Sequence, residues 1–342
     1  MGVNKVHYRF DQGRRRRLIV RGRDTPFWDP YTQLSHTPTP AHVVAVGAPS
    51  AVVAPPPPPG GFPGEPPVGK VYVGVREETG DNVVTRYETP AGAVLGVHRV
   101  FFQTSQSDAT MAAACETELA AGRLPWISFK TPQPWSTITQ GYLENRIGVI
   151  ADITSGPVWL TVWHEPEDNV NASNPIVDWL TLQELTGAAL GVLAPHNIAF
   201  APVLQGWTWH PSSGRDADDW WTPDAGWDFF GVDPYYSQEG PLYDYPGWNP
   251  MTSWIDGHGL KMGVAEWGID PNDPTPSASK ATFMQQTWDN VIAETSPVIT
   301  CMAYYDSDGG SENWRLDGTF GTAPLTKFRE LMGEVDAYHY DD

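Results

Sequence analysis

The chain is poor in cysteine and in positive charge. Its 342 residues include two cysteines, Cys115 and Cys301, and 21 Lys and Arg residues against 41 Asp and Glu residues. Two cysteines cannot build a disulfide framework, and each lies in an apolar stretch where a buried thiol is expected. The net charge of −20 argues against a nucleic-acid partner, because binding to phosphate backbones depends on Lys and Arg.

Long apolar runs are also missing. No stretch of 18 consecutive apolar residues occurs, so we expect no membrane insertion. The apolar segment at residues 42–54 begins well after the last N-terminal arginine, Arg23, and is interrupted by Gly47 and Pro49. We therefore expect no cleaved secretory signal. Aromatic residues, in contrast, are abundant: 16 Trp, 13 Tyr and 12 Phe supply a core and leave rings for a binding surface.

Charge and proline content divide the chain. Residues 1–48 hold eight basic and three acidic side chains, a net charge of +5, which leaves −25 for the remainder. Residues 55–67 read PPPPPGGFPGEPP, a composition that favours extended polyproline II structure and cannot form a core. The sequence predicts a basic N-terminal arm at 1–48 that docks onto a partner, a Pro/Gly-rich linker at 49–69 and a folded domain at 70–342.

Eight short β-rich runs recur after the linker and alternate with stretches of helical character. The predicted strands lie at residues 71–75, 97–102, 124–129, 158–163, 198–204, 227–232, 261–265 and 298–304. The predicted helices lie at residues 108–121, 139–153, 181–193, 277–294 and 323–335. This alternation within about 270 residues predicts an α/β fold, the (β/α)8 TIM barrel.

Two of the predicted strands end in a glutamate. The fourth ends His164-Glu165-Pro166, and the seventh ends Ala265-Glu266-Trp267. Functional groups of such barrels lie at the carboxyl ends of the strands. One strand-end glutamate is weak evidence, since most are solvated loop carboxylates. Two, ringed by aromatic residues, are what cleavage of a glycosidic bond requires.

These motifs resemble the clan of retaining glycoside hydrolases with (β/α)8 barrels, whose catalytic glutamates end strands four and seven. The pair His164-Glu165, the run GWDFFGVDPY at 226–235 and the segment AEWG at 265–268 are most similar to the mannanase-like family 26. The resemblance covers residues 70–335. Pro166-Glu167 stands where many members of that family have Met-Asn, which leaves the substrate open among mannan, galactan and arabinan.

The resemblance implies roles for individual residues. Glu165 corresponds to the general acid/base and Glu266 to the nucleophile, with carboxyl groups about 5 Å apart. Tyr235 corresponds to a tyrosine that hydrogen-bonds the nucleophile, and Arg99 to a cation beside it. His164 is expected to hydrogen-bond the sugar.

Aromatic side chains near the same strand ends are candidates for stacking on sugar rings. The candidates for substrate binding are Trp207, Trp209, Trp267, Tyr236 and Tyr304. We expect no cofactor and no metal, because no His or Cys pair with metal-ligand spacing accompanies His164.

The sequence thus predicts a retaining glycosidase that hydrolyses a polysaccharide. The chain resembles the minor tail proteins of actinobacterial phages, because it has a basic arm and a proline-rich linker and is expected to have no signal peptide. That resemblance implies a location in the virion tail, tail proteins as partners of residues 1–48, and a bacterial envelope glycan as substrate. Two alternatives stay open: a receptor-binding tail protein with little or no turnover, and a secreted mannanase-like enzyme.

Overall fold

The computed structural model describes residues 61–78, 80–269, 277–307, 314–317 and 321–340, and the backbone of two N-terminal strands. Those strands, Val6–Asp11 and Arg14–Ile19, pair antiparallel within a unit that spans residues 1–53. The rest of the predicted arm, and the predicted linker up to residue 60, lie outside the described residues. The second unit, residues 54–342, contains the folded domain.

Eight strand positions form a closed parallel barrel. They are β1 (Val71–Glu77), β2 (Val97–Phe102), β3 (Leu124–Phe129), β4 (Val158–Val162), β5 in two segments (Ile198–Phe200 and Val203–Gln205), β6 (Phe230–Asp233), β7 (Met262–Ile269) and β8 (Ile299–Asp306). Strand β8 pairs with β1, while the first segment of β5 pairs with β4 and the second with β6. The ring therefore closes through the interrupted fifth strand, which confirms the predicted (β/α)8 fold.

Within the described residues, six regular helices surround the barrel: α1 (Asp108–Ala120), α2 (Gln140–Ala151), α3 (Ile176–Leu193), α4 (Trp248–Gly257), α5 (Ser277–Ala293) and α6 (Ala323–Met332). Helices α1 and α2 begin where the side chains of Ser107 and Thr139 accept hydrogen bonds from Thr110 N and Tyr142 N. The segment after β1 is shorter, a π-helical turn Val84–Glu88 followed by Thr89–Ala91. Three 3₁₀ turns, Gly206–Trp209, Ala217–Trp220 and Pro223–Ala225, follow β5.

Helix α3 is apolar and, by length and composition, long enough to cross a bilayer. In the barrel its Trp179 and Leu182 are buried in the core. Its Gln183 is also buried, and the side-chain amide donates a hydrogen bond to the carbonyl of Val162 in β4 at 2.9 Å. These contacts are those of a barrel helix packed on its sheet.

The segment at residues 61–67 closes the amino-terminal end of the barrel. The buried ring of Phe62 stacks on Phe229 at 4.8 Å between centroids. Trp159 Nε1 donates to the carbonyl of Pro63 and Tyr72 Oη donates to the carbonyl of Gly64, both at 3.0 Å. Residues that precede β1 therefore belong to the barrel core.

A buried ionic cluster ties β2 to its neighbours. The ring of His98 lies between Glu77 at 2.7 Å and Glu118 at 2.9 Å. Arg123 links Glu118 at 2.5 Å to Glu88 at 3.0 Å. Burial lowers the pKa of His98, but its two carboxylate neighbours outweigh burial and raise the pKa to about 9.

Candidate active site

Glu165 follows β4 in an unusual backbone conformation. Its φ of 47° and the φ of 59° at Trp163 lie in the left-handed region, which residues other than glycine rarely adopt. The backbone N–H of Glu165 donates to the carbonyl of Val203 in β5 at 2.9 Å, which holds the residue against the next strand. This turn brings the Glu165 side chain to the wall of a cavity at the carboxyl end of the barrel.

Glu266 lies in β7 and is buried. The pairing of β7 with β8 shifts register between Val264 and Trp267, next to this residue. The hydroxyl of Tyr235 donates a short hydrogen bond to Glu266 Oε2. Burial raises the pKa of Glu266 above its usual value, although the Arg99 charge and the Tyr235 hydrogen bond oppose this shift.

The two glutamates differ in their surroundings. Burial raises the pKa of Glu165 to about 8, and the negative charges of Glu266 and Glu167 add to this effect. At Glu266, by contrast, the Tyr235 hydrogen bond and the Arg99 charge favour the ionised carboxylate and oppose the effect of burial on its pKa. When the two glutamates hold one proton between them, Glu165 therefore carries it and Glu266 is ionised.

Arg99 lies in β2 with an exposure of 1%. Its guanidinium carbon is 4.8 Å from the ring centroids of both Phe101 and Trp126, and Nη1 donates to Ser128 Oγ at 2.7 Å. Its Nε and Nη2 have no hydrogen-bond partner within the described part of the chain. Two donors of a buried cation are thus available to a bound ligand or water.

Asp233 is a site residue that the sequence analysis did not select. It ends β6, is 2% exposed, and neither carboxyl oxygen has a hydrogen-bond partner among the described residues. Burial, with the charges of Glu266 and Glu165, raises its pKa well above the usual range. The rule that found Glu165 and Glu266 applies equally here, since Asp233 also ends a barrel strand.

His164 lies beside the ring of Phe101, with centroids 4.7 Å apart. Burial, Arg99 and Lys130 all lower its pKa well below the usual value, so the imidazole is neutral. Its Nδ1 has no hydrogen-bond partner in the described structure. A neutral histidine in this position can exchange hydrogen bonds with a hydroxyl group.

The cavity has a volume of about 480 Å³. Its polar wall contains Glu165, Asp233, Gln205, Ser237 and Gln238, and its rings are Trp207, His210, Tyr235, Tyr236, Tyr245 and Trp314. Trp207 is 44% exposed and stacks on His210 at 4.2 Å. Trp314, which the sequence analysis also missed, packs on Tyr235 at 4.8 Å.

Three of the five predicted sugar-binding rings occupy packed positions instead. Trp209 is 7% exposed and packs against Phe230 and Trp254. The rings of Trp267 and Tyr304 are both buried and lie 4.8 Å apart.

The alternation of side chains along β8 explains why Tyr304 does not line the cavity. Its neighbour Ala303 belongs to the inner core of the barrel, whereas Tyr304 packs toward Phe328 of α6. Alternate residues of a strand point to opposite faces, so adjacency to a strand end does not place a ring in the cavity. Of the predicted rings, Trp207 and Tyr236 line the cavity, while Trp209, Trp267 and Tyr304 do not.

Glu167 supports the cavity wall from behind. Its buried Oε1 accepts hydrogen bonds from Gln205 N at 2.9 Å and Thr208 Oγ1 at 2.7 Å. These bonds connect the 3₁₀ turn that carries Trp207 to the loop that carries Glu165. Burial raises the pKa of Glu167 to about 7.

The described residues contain no group of three or more His, Cys, Asp or Glu side chains arranged to hold a metal ion. Glu165 and Glu266 are carboxyl groups of the kind that can transfer a proton or attack as a nucleophile.

No family model matches the sequence, and no curated protein matches it. Solved structures do match. An endo-β-1,4-mannanase of Cellulomonas fimi is 14% identical over 80% of this chain and 72% of its own, with a TM-score of 0.56. The family 26 endo-β-1,4-mannanase of Bacillus sp. is 13% identical over 80% of this chain and 88% of its own, with a TM-score of 0.56. A family 26 protein of Muricauda sp. is 13% identical with the same coverage, 80% and 88%, and a TM-score of 0.55. The chain therefore has the (β/α)8 barrel fold that these family 26 glycoside hydrolases also have.

Proposed function

We propose that the barrel is a retaining glycosidase that hydrolyses a polysaccharide. One observation carries the proposal: Glu165 lies on the cavity wall with its pKa raised to about 8 by burial and by the negative charge of Glu266, while Glu266 accepts a hydrogen bond from Tyr235, another residue of that wall. A glycosidase needs a protonated acid beside an ionised carboxylate, and the retaining form of the mechanism is proposed from the similarity of the two glutamate motifs to those of retaining glycoside hydrolases. The fold shared with family 26 mannanases supports the same conclusion.

The reaction follows from the two protonation states. Glu266 attacks the anomeric carbon while Glu165 donates its proton to the glycosidic oxygen, so the carbon–oxygen bond breaks and a glycosyl ester forms on Glu266. Glu165, now ionised, takes a proton from water, and the hydroxide attacks the same carbon. The sugar leaves with its original configuration, Glu266 is released, and Glu165 is protonated again.

The neighbours of these two groups have supporting roles in the proposal. Tyr235 and Arg99 favour the ionised form of Glu266. The free donors of Arg99, the carboxyl group of Asp233 and the neutral ring of His164 are available to sugar hydroxyls. Trp207 and Tyr236 offer ring faces for apolar faces of sugars. No cofactor enters this mechanism.

We also propose the setting in which the enzyme works. A basic arm on an acidic barrel, joined by a proline-rich linker, is suited to fixing an enzyme onto a larger particle. The arrangement supports a place in a phage tail, with tail proteins bound by residues 1–48 and a bacterial envelope glycan as substrate. A chain that lacks residues 1–48 should hydrolyse glycan normally but fail to enter assembled particles.

Hydrolysis of envelope and plant polysaccharides by the full chain tests the activity. Glu165→Gln and Glu266→Gln should each lower turnover at least about 10²-fold, since each removes a group that reacts. Glu116→Gln, an exposed carboxylate on α1, is the matched control and should be unaffected. Nuclear magnetic resonance of the first product should show retained anomeric configuration.

Inversion at the anomeric carbon would contradict the retaining mechanism. Glycan binding without turnover, unchanged in both glutamine variants, would instead support a receptor-binding protein. Normal entry into particles without residues 1–48, together with release of the enzyme from cells, would favour a secreted mannanase-like enzyme.

A further inference from the structure

Two cations lie at strand ends on the β1–β3 side of the barrel. Arg76 follows Tyr72 and Gly74 along one face of β1, and Tyr72 belongs to the inner core. Lys130 directly follows β3 on the face of Trp126, another inner-core residue, and Lys130 N donates to the carbonyl of Phe102 at 2.9 Å. Register therefore places both side chains at the carboxyl mouth of the barrel.

The contacts of these cations are aromatic. The guanidinium carbon of Arg76 lies 5.5 Å from the ring centroid of Phe101, whose ring also contacts His164. Lys130 Nζ lies 5.5 Å from the ring of Trp163. Both side chains are partly exposed, and neither forms an ion pair with a carboxylate of the described residues.

Four other arginines of this acidic chain are paired with carboxylates. Arg86, Arg123, Arg146 and Arg315 each have a carboxylate oxygen between 2.5 and 2.8 Å from a guanidinium nitrogen. Cations that stay unpaired in a protein of net charge −20, and that are partly removed from water, are well placed to bind an anion from outside.

We propose that Arg76 and Lys130 bind an acidic substituent, a carboxylate or a phosphate, on the glycan that the barrel cleaves. The inference rests on the proposed function and specifies its substrate class. Arg76 can donate two parallel hydrogen bonds to an oxyanion, and Lys130 supplies a second charge.

The charge distribution also sets the direction in which such a glycan binds. No Lys or Arg of the described residues lines the aromatic cavity, so its wall offers no cationic partner to an anion. The acidic substituent therefore lies over β1–β3, and an uncharged sugar occupies the cavity between Trp207 and Trp314.

A simpler role for Arg76 makes a different prediction. Its charge lowers the pKa of Glu266 and would assist attack on every substrate to the same extent. Only a substituent-binding role distinguishes an acidic glycan from its uncharged counterpart.

Two matched substrate pairs separate these roles and the two anions. Glucuronoxylan is compared with its carboxyl-reduced form, and phosphomannan with its dephosphorylated form. Binding is measured with full-length Glu165→Gln, and hydrolysis with the active full chain, each with and without the double change Arg76→Gln and Lys130→Gln. Lys70→Gln with Lys327→Gln removes the same charge elsewhere and is the control.

We expect the acidic member of one pair to bind about tenfold more tightly than its neutral form, and the double variant to abolish this preference. Added salt should weaken the preference, while the control variant should retain it. The pair that shows the preference identifies carboxylate or phosphate.

The inference is wrong if neither pair shows tighter binding of its acidic member. It is also wrong if the double variant loses affinity equally for the acidic and the neutral member of a pair. If a neutral member is still hydrolysed, and this hydrolysis requires Glu165 and Glu266, the proposed glycosidase activity stands without the anion site. A salt-sensitive preference without any turnover would support the anion site and refute the glycosidase.

Discussion

Replacement of Tyr235 by phenylalanine tests how Glu266, the proposed nucleophile, is kept ionised. The hydroxyl group donates to Glu266 Oε2, while the ring packs on Trp314 at 4.8 Å. Phenylalanine keeps the ring and removes the donor. A hydrogen bond to a charged group contributes about 1.5–3 kcal/mol, and about 1.4 kcal/mol corresponds to a tenfold change. We therefore expect kcat/KM to fall about tenfold to a hundredfold.

The pH dependence gives this prediction its sign. Burial already raises the pKa of Glu266, and loss of the Tyr235 donor raises it further. Because attack requires the ionised form, the acidic limb of the kcat/KM profile should move to higher pH, and the loss should be larger in acid.

Initial rates of glycan hydrolysis from about pH 4 to about pH 9 measure this shift. Tyr142→Phe, a tyrosine of α2 that does not line the cavity, is the control, and thermal melting verifies that both variants fold. A change of less than about twofold, with the acidic limb in place, would refute the assignment of Tyr235 as support for the nucleophile.

The remaining predictions concern pH, stability and substrate contact. Since the pKa of Glu165 is raised to about 8, kcat/KM of the wild-type chain should decline as pH rises through about 8; a decline already complete at about pH 6 would contradict its role as acid. The ion pairs that raise the pKa of His98 to about 9 should stabilise the fold fully below the unfolded pKa of about 6.5. This stabilisation should be lost as pH rises through about 9. The melting temperature of the wild-type chain should therefore fall over this pH range, while that of His98→Gln should stay nearly constant. Phe62→Ala should lower the free energy of unfolding by about 3–5 kcal/mol in urea denaturation, and a value below about 1 kcal/mol would show that residues 61–67 do not belong to the core. Trp207→Ala should raise KM with little effect on stability and Trp209→Ala should do the reverse, so equal effects on KM would refute the assignment of Trp207 to the cavity and of Trp209 to the core.

The basic N-terminal arm can be removed without disturbing the contacts that close the barrel. The two N-terminal strands pair with one another within their own unit. Removal of residues 1–48 leaves Phe62 and its contacts on the barrel intact, whereas a chain that starts at residue 70 loses them. Experiments on the isolated barrel should therefore begin before residue 61.

The order of elements was predictable because it is written in local patterns. Eight β-rich runs between helical stretches match the eight strand positions, and the two glutamates, which the structure places after β4 and within β7, could be read directly from the chain. Helix α4 was missed because its first turn, Trp248-Asn249-Pro250, follows a Pro- and Gly-rich stretch that resembles a loop. Proline is tolerated in a first helical turn, so the local signal was misleading.

Sequence alone determined the fold class and the two strand-end glutamates, because periodicity and position along a strand are properties of neighbouring residues. Tertiary structure decided what surrounds them. It brought Tyr235 to Glu266, left Asp233 buried without a partner, placed Trp314 in the cavity, and turned Tyr304 toward α6. Those outcomes depend on strand register, pleat direction and packing between residues far apart in the chain, so no local pattern encodes them.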